Sequence, residues 1–493
     1  MRIRERLPNI IFIQCDSLDG RILGCLGQPA GRQVAPYLDT LAGQGVLFRN
    51  TYANNFVCVP SRASMWSGMY THHCQGWNNF KGLEPKTPTF LTFLQSAGYL
   101  PVIFGRTDHL SGRHSLRARV SAWTRSAWIR RPNYRMPLPR VKPEEDSRVH
   151  LSDWQQVEKS LVWLSQNAQD SQPFFLSLGF SSPHPPFFTS AYYWKKINRQ
   201  TVALPPFDLA DHPVLKQQRI CKNWEHGFAP ELVKQVRTVY LAMVSEVDAM
   251  MGYFLKKLRE LSLADSTVLI FCSDHGELAL EHQQYYKMSP YEGSSRVPLI
   301  ISGPGIPRGK IVDWPVSLVD IFPTLMDLAE NSGPDYLDGH SLIPICFSQD
   351  HRHPEWVLAE CHDSSLATGC FMLRKGKWKY VVYVGYQSQL FNLEQDQEEI
   401  HNLSEEKPSL VAELNHLLRS LVNYPAVDQQ VKNYDRESFL AWRNEQVKAG
   451  TYFQNMAKIF SGWDDLSEKE VQPWTGEDEA RINRWLKGET GNG

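Results

Sequence analysis

The chain has 493 residues, 42% of them hydrophobic, and a formal net charge of -1. This balanced charge creates no overall field that would attract nucleic acid or an anionic membrane surface, so we expect neither as a partner. No apolar run approaches the roughly 20 residues that span a bilayer, so we expect no membrane insertion. The 9 cysteines are scattered without a CxxC pair, which argues against a disulfide framework or a structural zinc site.

Short apolar runs alternate with amphipathic stretches over the first two thirds of the chain. In chain order, the pattern predicts a strand at 9–16, helix–strand pairs at 35–53, 87–105 and 153–180, a helix at 230–262, a strand at 266–274, and a strand and helix at 297–330. The strand at 266–274 is almost continuously apolar, as expected when helices cover both faces of a parallel sheet. We therefore predict an α/β fold with a large, mostly parallel central sheet between helices.

The pattern changes near residue 355. Two short strands around a Lys-Gly turn are predicted at 371–385, followed by a helix at 408–425. This combination indicates a smaller C-terminal α+β subdomain with a short antiparallel sheet. We predict a catalytic domain at 1–354, this subdomain at 355–429, and a helical, Trp-rich extension at 430–493.

Two of the predicted strands end in carboxylates, at Asp16 and at Asp274, and the second is followed directly by His275. Ligands of open α/β sheets collect at the carboxyl ends of the strands. Carboxylate oxygens suit Ca²⁺ or Mg²⁺, and an imidazole also admits Mn²⁺ or Zn²⁺. A strand-end Asp can instead be a helix cap or a turn residue. The absence of HExxH, GxGxxG, Walker and GxSxG motifs removes several common enzyme classes.

The segment Cys58-Val59-Pro60-Ser61-Arg62 carries the pattern Cys-x-Pro-Ser-Arg. By itself it is compatible with a buried thiol before a Pro-initiated helix. Together with the strand-end carboxylates and the Lys-x-x-x-Tyr-Glu-Gly segment that begins at Lys287, it resembles the type I, formylglycine-dependent sulfatases of the alkaline phosphatase superfamily. The order of these motifs along residues 8–425 matches that family. The resemblance implies the alkaline-phosphatase-like sulfatase fold and a sulfuric ester hydrolase.

The resemblance also implies the chemistry at Cys58. In the family, a formylglycine-generating enzyme converts this cysteine to formylglycine. One hydroxyl of the hydrated aldehyde attacks sulfur, and the other then expels sulfate, which an unmodified thiol could not do. Asp16, Asp274, His275 and the modified Cys58 are the implied metal ligands, for Ca²⁺ with Mg²⁺ and Mn²⁺ as alternatives.

Further roles follow from the same resemblance. Arg62 is expected to hold the nucleophile, with a plain salt bridge as the alternative. The expected sulfate-binding residues are Arg106, His109 and Lys287, and Arg106 stands where the family usually has Lys. The two candidate general acids are His184 and His212, and the sequence does not separate them. Residues that could face a substrate carboxylate are Lys81, Arg113 and His114; a solvated basic surface is the alternative.

A closer likeness points to a family subgroup that acts on 2-O-sulfated glucuronate of glycosaminoglycans. Most sulfatases have a second Asp at the position of Ser17 and Asn at the position of His275, and the subgroup shares both departures. We therefore expect a sulfated saccharide, foremost a 2-O-sulfated uronate, as substrate. The alternatives are a phosphonate monoester or phosphodiester hydrolase, a choline or aryl sulfatase, or an inactive carbohydrate-binding homologue with an unconverted cysteine.

The expected compartment is the cytoplasm of a bacterium. The apolar stretch near the N-terminus, "IIFI", is too short for a signal peptide, and one N-x-S/T sequon occurs, at Asn402. A removed leader would instead allow a periplasmic, secreted or lysosomal protein. The sequence leaves the oligomeric state open.

Overall fold

A computed structural model of the protein describes residues 7–27, 34–112, 114–130, 138–167, 171–209, 211–348, 352–363, 366–461, 471 and 473–489. Its strands, numbered in chain order, are β1 Asn9–Asp16, β2 Gly45–Phe48, β3 Thr51–Tyr52, β4 Leu100–Gly105, β5 Arg140–Lys142, β6 Phe174–Pro183, β7 Phe188–Ser190, β8 Thr267–Ser273, β9 Arg296–Val297, β10 Leu299–Ser302, β11 Lys310–Val312, β12 Val316–Ser317, β13 Trp356–Cys361, β14 Cys370–Lys375, β15 Trp378–Tyr383 and β16 Gln389–Asn392.

The α-helices of the same residues are α1 Pro36–Gly43, α2 Cys58–Ser67, α3 Thr71–Cys74, α4 Phe90–Ser96, α5 Leu116–Trp123, α6 Leu151–Asn167, α7 Ala191–Lys196, α8 Pro213–Cys221, α9 Pro230–Glu260, α10 Glu292–Ser295, α11 Ile321–Leu328, α12 Ile343–Cys346, α13 Pro408–Leu421, α14 Tyr424–Lys448, α15 Tyr452–Phe460 and α16 Gly476–Leu486. No helix within these residues has the length and hydropathy needed to cross a bilayer.

A large sheet of seven strands, in the order β11-β2-β10-β8-β1-β6-β4, forms the centre of the main body. Strand β1 pairs in parallel with β6 and β8, and β4 pairs in parallel with β6. Only β10 is antiparallel to its two neighbours, β2 and β8, among the pairs described. The predicted α/β class with a mostly parallel central sheet is confirmed.

Both faces of this sheet are buried, which explains its continuous apolar strands. Within β1, Ile11 and Ile13 belong to one hydrophobic core, while Ile10 and Phe12 belong to the core on the opposite face. The long helix α9 closes the first core. The predicted apolar positions of α9 are all buried: Val236, Val239, Met243, Val247, Met250, Phe254 and Leu258.

A second sheet lies in the C-terminal part. Strands β13, β14, β15 and β16 pair consecutively and antiparallel, as the sequence predicted for this subdomain. Leu414 and Leu418 of α13 pack on this sheet, in one core with Phe371 and Leu373. The predicted helix 408–425 is too long. It ends at Leu421, where Val422 is extended, and a new helix begins at Tyr424, because Pro425 has no N–H to continue the first helix but fits the first turn of a new one.

Helix α14 runs through the predicted boundary at 429 and 430. Its early residues Val427 and Val431 pack with the C-terminal sheet. Its later residues Phe439 and Trp442 pack in another core that includes α5 and the helices of the C-terminal extension. One continuous helix therefore ties the subdomain to the extension, and the division into three domains stays a prediction.

Candidate active site

The two strand-end carboxylates meet because β1 and β8 are adjacent and parallel. Their pairing register places Cys15 opposite Ser273, so Asp16 and Asp274 follow at the same edge of the sheet. Both side chains are fully buried. The strand alternation also brings Gln14 to the face of Asp16, where its Oε1 accepts a hydrogen bond from Arg62 at 3.3 Å.

Cys58 enters this edge from the first turn of α2. All 10 residues of that helix are buried, Pro60 lies in its first turn, and Gly68 ends it with a left-handed φ of 71°. The hydroxyl of Ser61 donates to the carbonyl oxygen of Asp274 at 2.5 Å, which fixes the helix against the end of β8. The start of a buried helix, with its partial positive charge, therefore faces the two carboxylates.

Asp16, Cys58, Asp274 and His275 form a compact cluster. One ligand atom from each lies within 4.8 Å of all the others. Cys58 Sγ is 3.1 Å from His275 Nε2 and 3.7 Å from Asp16 Oδ1. The four predicted metal ligands thus converge.

The protonation of His275 suits metal binding. Its Nδ1 donates to the carbonyl oxygen of Gly276 at 2.9 Å, so Nε2 carries the lone pair that faces the cluster. Burial lowers the pKa of His275, and together with the charge of Lys287 it outweighs the opposing effect of Asp274, which favours the neutral imidazole. Two buried carboxylates and a neutral imidazole fit a divalent cation.

Arg62 bridges the two carboxylates. Its Nε donates to Asp274 Oδ2 at 2.8 Å and its Nη2 to Asp16 Oδ2 at 3.3 Å, and the side chain is fully buried. Arg106 adds a second guanidinium, with Nη1 3.1 Å from Asp16 Oδ2. Burial alone would raise the pKa of Asp16. The positive charges of Arg106 and the other nearby cations outweigh burial and hold the pKa of Asp16 well below its ordinary range.

Lys287 and His184 form a hydrogen-bonded pair beside the cluster. Lys287 Nζ donates to His184 Nε2 at 2.6 Å, and His184 Nδ1 donates to the carbonyl oxygen of Pro185 at 2.5 Å. Burial lowers the pKa of His184, and the charge of Lys287 lowers it further. Burial opposes the charge on Lys287, but Cys58 and Asp16 more than compensate and raise its pKa. The resting pair is a charged lysine and a neutral histidine.

Comparisons with known proteins agree with this geometry. The sequence profile described as Sulfatase matches residues 8–332. The chain belongs to the sulfatase family. A second profile, described as N-sulphoglucosamine sulphohydrolase, C-terminal, matches residues 280–424 of this sulfatase. Arylsulfatase K of Canis lupus familiaris is 37% identical to it over 97% of this chain and 93% of the relative. The protein is therefore a sulfate ester hydrolase by family.

Solved structures share its fold. The phosphonate monoester hydrolase of Agrobacterium radiobacter superposes with a TM-score of 0.68 and 23% identity, covering 84% of this sulfatase and 95% of that chain. A structure described as a 2-O GAG sulfatase gives a TM-score of 0.66 and 23% identity, covering 87% and 96%. At this identity the likeness shows the alkaline-phosphatase-like fold alone.

The two candidate acids of this sulfatase occupy different surroundings. His184 touches Lys287, as described above. His212 begins helix α8, where its Nδ1 accepts from the Val214 amide at 3.3 Å and its Nε2 donates to the Gln387 carbonyl at 2.8 Å. Both ring nitrogens of His212 are committed, and among the described contacts none joins it to Cys58. An acid role for His212 stays a prediction that this arrangement does not favour.

The remaining predicted residues that the structure describes make contacts with neighbouring side chains. His109 is buried and stacks on Trp66 of α2, with ring centroids 4.1 Å apart. Lys81 pairs with Glu84, and His114 Nε2 lies 3.0 Å from Asp108 Oδ2. Arg113 falls outside the described residues. Substrate contact by these residues stays a prediction.

Asp108 and Gln14 join the site although neither was predicted. Asp108 accepts from Arg106 Nη2 at 2.7 Å and so orients the guanidinium that reaches Asp16. Burial would raise the pKa of Asp108, but His114 and Arg106 lower it. Gln14 could have been found from its place two residues before Asp16 on one strand. Asp108 has no such signal, because its role depends on how the loop after β4 folds.

Proposed function

We propose that this sulfatase removes the 2-O-sulfate of a uronate, foremost glucuronate, in glycosaminoglycan-type oligosaccharides. It does so with formylglycine made from Cys58 by a formylglycine-generating enzyme, and with a divalent cation, foremost Ca²⁺. The observation that carries the proposal is the placement of Cys58 Sγ 3.1 Å from His275 and 3.7 Å from Asp16, at the start of a buried helix.

The cation and the modified residue supply a Lewis acid and an oxygen nucleophile at this edge of the sheet. Asp16, Asp274 and His275 would hold the cation. Arg62, fully buried against both carboxylates, keeps them in place. Its planar guanidinium also suits an oxyanion held beside residue 58.

Positive charge for the sulfate group comes from Lys287 and Arg106. Only 5% of the surface of Lys287 is exposed, so water screens its charge weakly. Arg106 is partly exposed and lies between Asp16 and Asp108. These cations stabilise the charge that builds up on the sulfate oxygens as the ester bond breaks.

Proton transfer to the leaving hydroxyl is assigned to the pair of His184 and Lys287. The hydrogen bond between them runs from the charged ammonium to the neutral imidazole. When a substrate oxygen arrives, the pair can deliver one proton to it, from Lys287 directly or through His184 Nε2. His212 is left out of this step because both of its ring nitrogens have other partners.

The substrate assignment rests on the subgroup likeness given by Ser17 and His275 and on the kinship with arylsulfatase K. Lys81 and His114, which lie beside Glu84 and Asp108, are further candidates for contact with a uronate carboxylate. A saccharide that carries both sulfate and carboxylate would then place its sulfate at Lys287 and Arg106.

The test uses enzyme matured in a host that has the modifying enzyme. Sulfate release is measured from a 2-O-sulfated uronate disaccharide and from matched disaccharides with 4-O- or 6-O-sulfated hexosamine. The proposal expects at least about a hundredfold higher kcat/KM for the 2-O-sulfated uronate, which corresponds to about 2.7 kcal/mol. A preference for a hexosamine sulfate would overturn the uronate assignment. A preference for a phosphate diester or phosphonate ester, measured in parallel, would overturn the sulfatase chemistry.

A further inference from the structure

The first turn of the nucleophile helix α2 lacks a side-chain cap of its own. Val57 stands at the cap position and has no side-chain oxygen or nitrogen to offer. Pro60 has no N–H, and the Ser61 amide donates to the Val57 carbonyl at 3.0 Å. The amide of Val59, the residue after the nucleophile, therefore needs an acceptor from elsewhere in the chain.

Asn79 provides that acceptor. Its Oδ1 accepts from the Val59 amide at 3.1 Å. The amide of Asn79 in turn donates to Asp363 Oδ2 at 2.7 Å, in the loop directly after β13. Asp363 is almost fully buried. A route of two hydrogen bonds thus connects the C-terminal subdomain to the residue beside Cys58.

The segment that carries Asn79 is itself held firmly. Asn78 Oδ1 accepts from the amides of Phe80 and Lys81, at 3.0 and 2.9 Å, which closes a tight turn. Trp77 is buried and meets the ring of His362 edge-on, with centroids 5.7 Å apart. The turn therefore holds Asn79 Oδ1 at a fixed place. The turn itself is anchored to the C-terminal subdomain.

We propose that Asn79, oriented by Asp363, is a positioning residue for the nucleophile of this sulfatase. It fixes the main chain at Val59 and thereby the direction in which the side chain at 58 points into the site. The inference rests on the proposed function of residue 58. It also gives the C-terminal subdomain a part in the reaction, because that subdomain supplies Asp363.

The variants are Asn79→Ala, Asn79→Asp and Asp363→Ala, together with the double variant of Asn79→Ala and Asp363→Ala. Asn79→Asp keeps an acceptor oxygen and adds a negative charge that a helix N-terminus favours. The matched control is Asn331→Ala. Asn331 Oδ1 likewise accepts from a main-chain amide, that of Gly333 at 2.9 Å, away from the candidate site.

We expect Asn79→Ala to lower kcat by about tenfold to a hundredfold with a smaller change in KM, at equal formylglycine content. Asn79→Asp should restore most of kcat, and Asp363→Ala should add little to Asn79→Ala, because both act through one route. Hydrogen exchange of the amides of residue 58, Val59 and Ser61 should be faster in Asn79→Ala. Asn331→Ala should change neither kcat nor this exchange.

Turnover is followed on both the 2-O-sulfated uronate disaccharide and an aryl sulfate. Unchanged kcat and unchanged exchange in Asn79→Ala would overturn the positioning role, as would an equal loss in Asn79→Asp. A wild-type enzyme without turnover of the uronate would overturn the proposed substrate instead, while the aryl sulfate and the amide exchange still report on Asn79.

Discussion

Charge is packed tightly around Cys58, and its balance decides how each side chain behaves. Asp16 and Asp274 are fully buried, and Arg62, Arg106 and Lys287 compensate them. A buried ion is costly unless it is paired and hydrogen-bonded, so these five side chains depend on one another. Removing one cation should therefore change the proton affinity of the groups that remain.

Lys287→Ala tests this coupling. The charge of Lys287 disfavours the protonated form of His184 and so lowers the pKa of His184. Without that charge the pKa of His184 rises, and the limb of the pH–rate profile that reports His184 should move to higher pH. We also expect kcat/KM for the sulfate ester to fall by about a hundredfold or more.

The measurement is kcat/KM against pH for wild type, Lys287→Ala and the control Lys377→Ala. Lys377 is a partly exposed residue of the β14–β15 turn, which makes it a control for the loss of a lysine as such. A limb that stays in place or moves to lower pH in Lys287→Ala would contradict the coupling between the two side chains.

Single residues were predictable where a motif and a strand end coincide. Asp16 and Asp274 could be found because ligands of open α/β sheets collect at the carboxyl ends of the strands, and Cys58 because it stands in the Cys-x-Pro-Ser-Arg motif. His212 could not be judged, because its surroundings depend on helix α8 and on a carbonyl 175 residues further along the chain. Asn79 and Asp363 were missed for the same physical reason, since their contacts join distant segments.

At the scale of elements, strand β13 is tied to the short helix α3 through Glu360. This buried carboxylate accepts from the amide of His72 at 2.9 Å, lies 2.7 Å from His72 Nδ1, and is 3.1 Å from His362 Nε2. Burial opposes its charge, but His72 and His362 outweigh burial and lower the pKa of Glu360 to about 2. Burial also opposes the charge of His72, and Glu360 outweighs it and raises the pKa of His72.

Glu360→Gln should therefore destabilise the fold in a pH-dependent way. Because the pKa of Glu360 is lowered, its carboxylate stabilises the fold at pH values above 4.5, its ordinary pKa. That stabilisation is lost as the pH falls toward about 2. The raised pKa of His72 contributes stability below its ordinary value of 6.5, and that contribution is lost as the pH rises through the raised value. The difference from wild type should be largest between these limits, at about 3 kcal/mol.

Urea unfolding of both proteins at pH 5.5 and pH 8.5 measures this difference. A smaller gap in unfolding free energy at pH 8.5 is the expected result. A gap that does not depend on pH would show that the charge on His72 contributes nothing to the contact between β13 and α3.

Most elements were predictable because periodicity reports burial directly. Strands β1, β4, β6 and β8 and helix α9 appear within a few residues of their predicted bounds, whereas the edge strand β11 was not predicted. The break between α13 and α14 was predicted a few residues late, because Pro425 lies in the first turn of α14 rather than at the end of α13. The pairing order of the strands could not be predicted. Strand β10 is antiparallel to both neighbours, and this depends on contacts between strands that are far apart in the chain.

At the scale of the whole molecule, the C-terminal extension is anchored to the main body by a buried ion pair. Arg125 Nε donates to Asp435 Oδ2 at 2.9 Å and its Nη1 to the Leu366 carbonyl at 3.1 Å, and the side chains of Arg125 and Asp435 are fully buried. Three separate parts of the chain therefore meet at one guanidinium.

Arg125→Ala should lower the free energy of unfolding by about 3–5 kcal/mol, because it leaves Asp435 buried without its partner. The control is Arg481→Ala, which removes an exposed pair with Glu477 in the same extension and should cost at most about 1 kcal/mol. Urea denaturation measures both. Equal losses in the two variants would contradict the anchoring role of Arg125.

In the proposed function, residue 58 acts as formylglycine rather than as a thiol. Preparations with different degrees of conversion allow the direct measurement: the converted fraction is read from the mass of the peptide containing Cys58, and sulfate release is measured on the same samples. Activity should rise in proportion to the converted fraction and vanish at zero conversion, as in a folded Cys58→Ala variant. Full activity from protein that retains the thiol would contradict the claim.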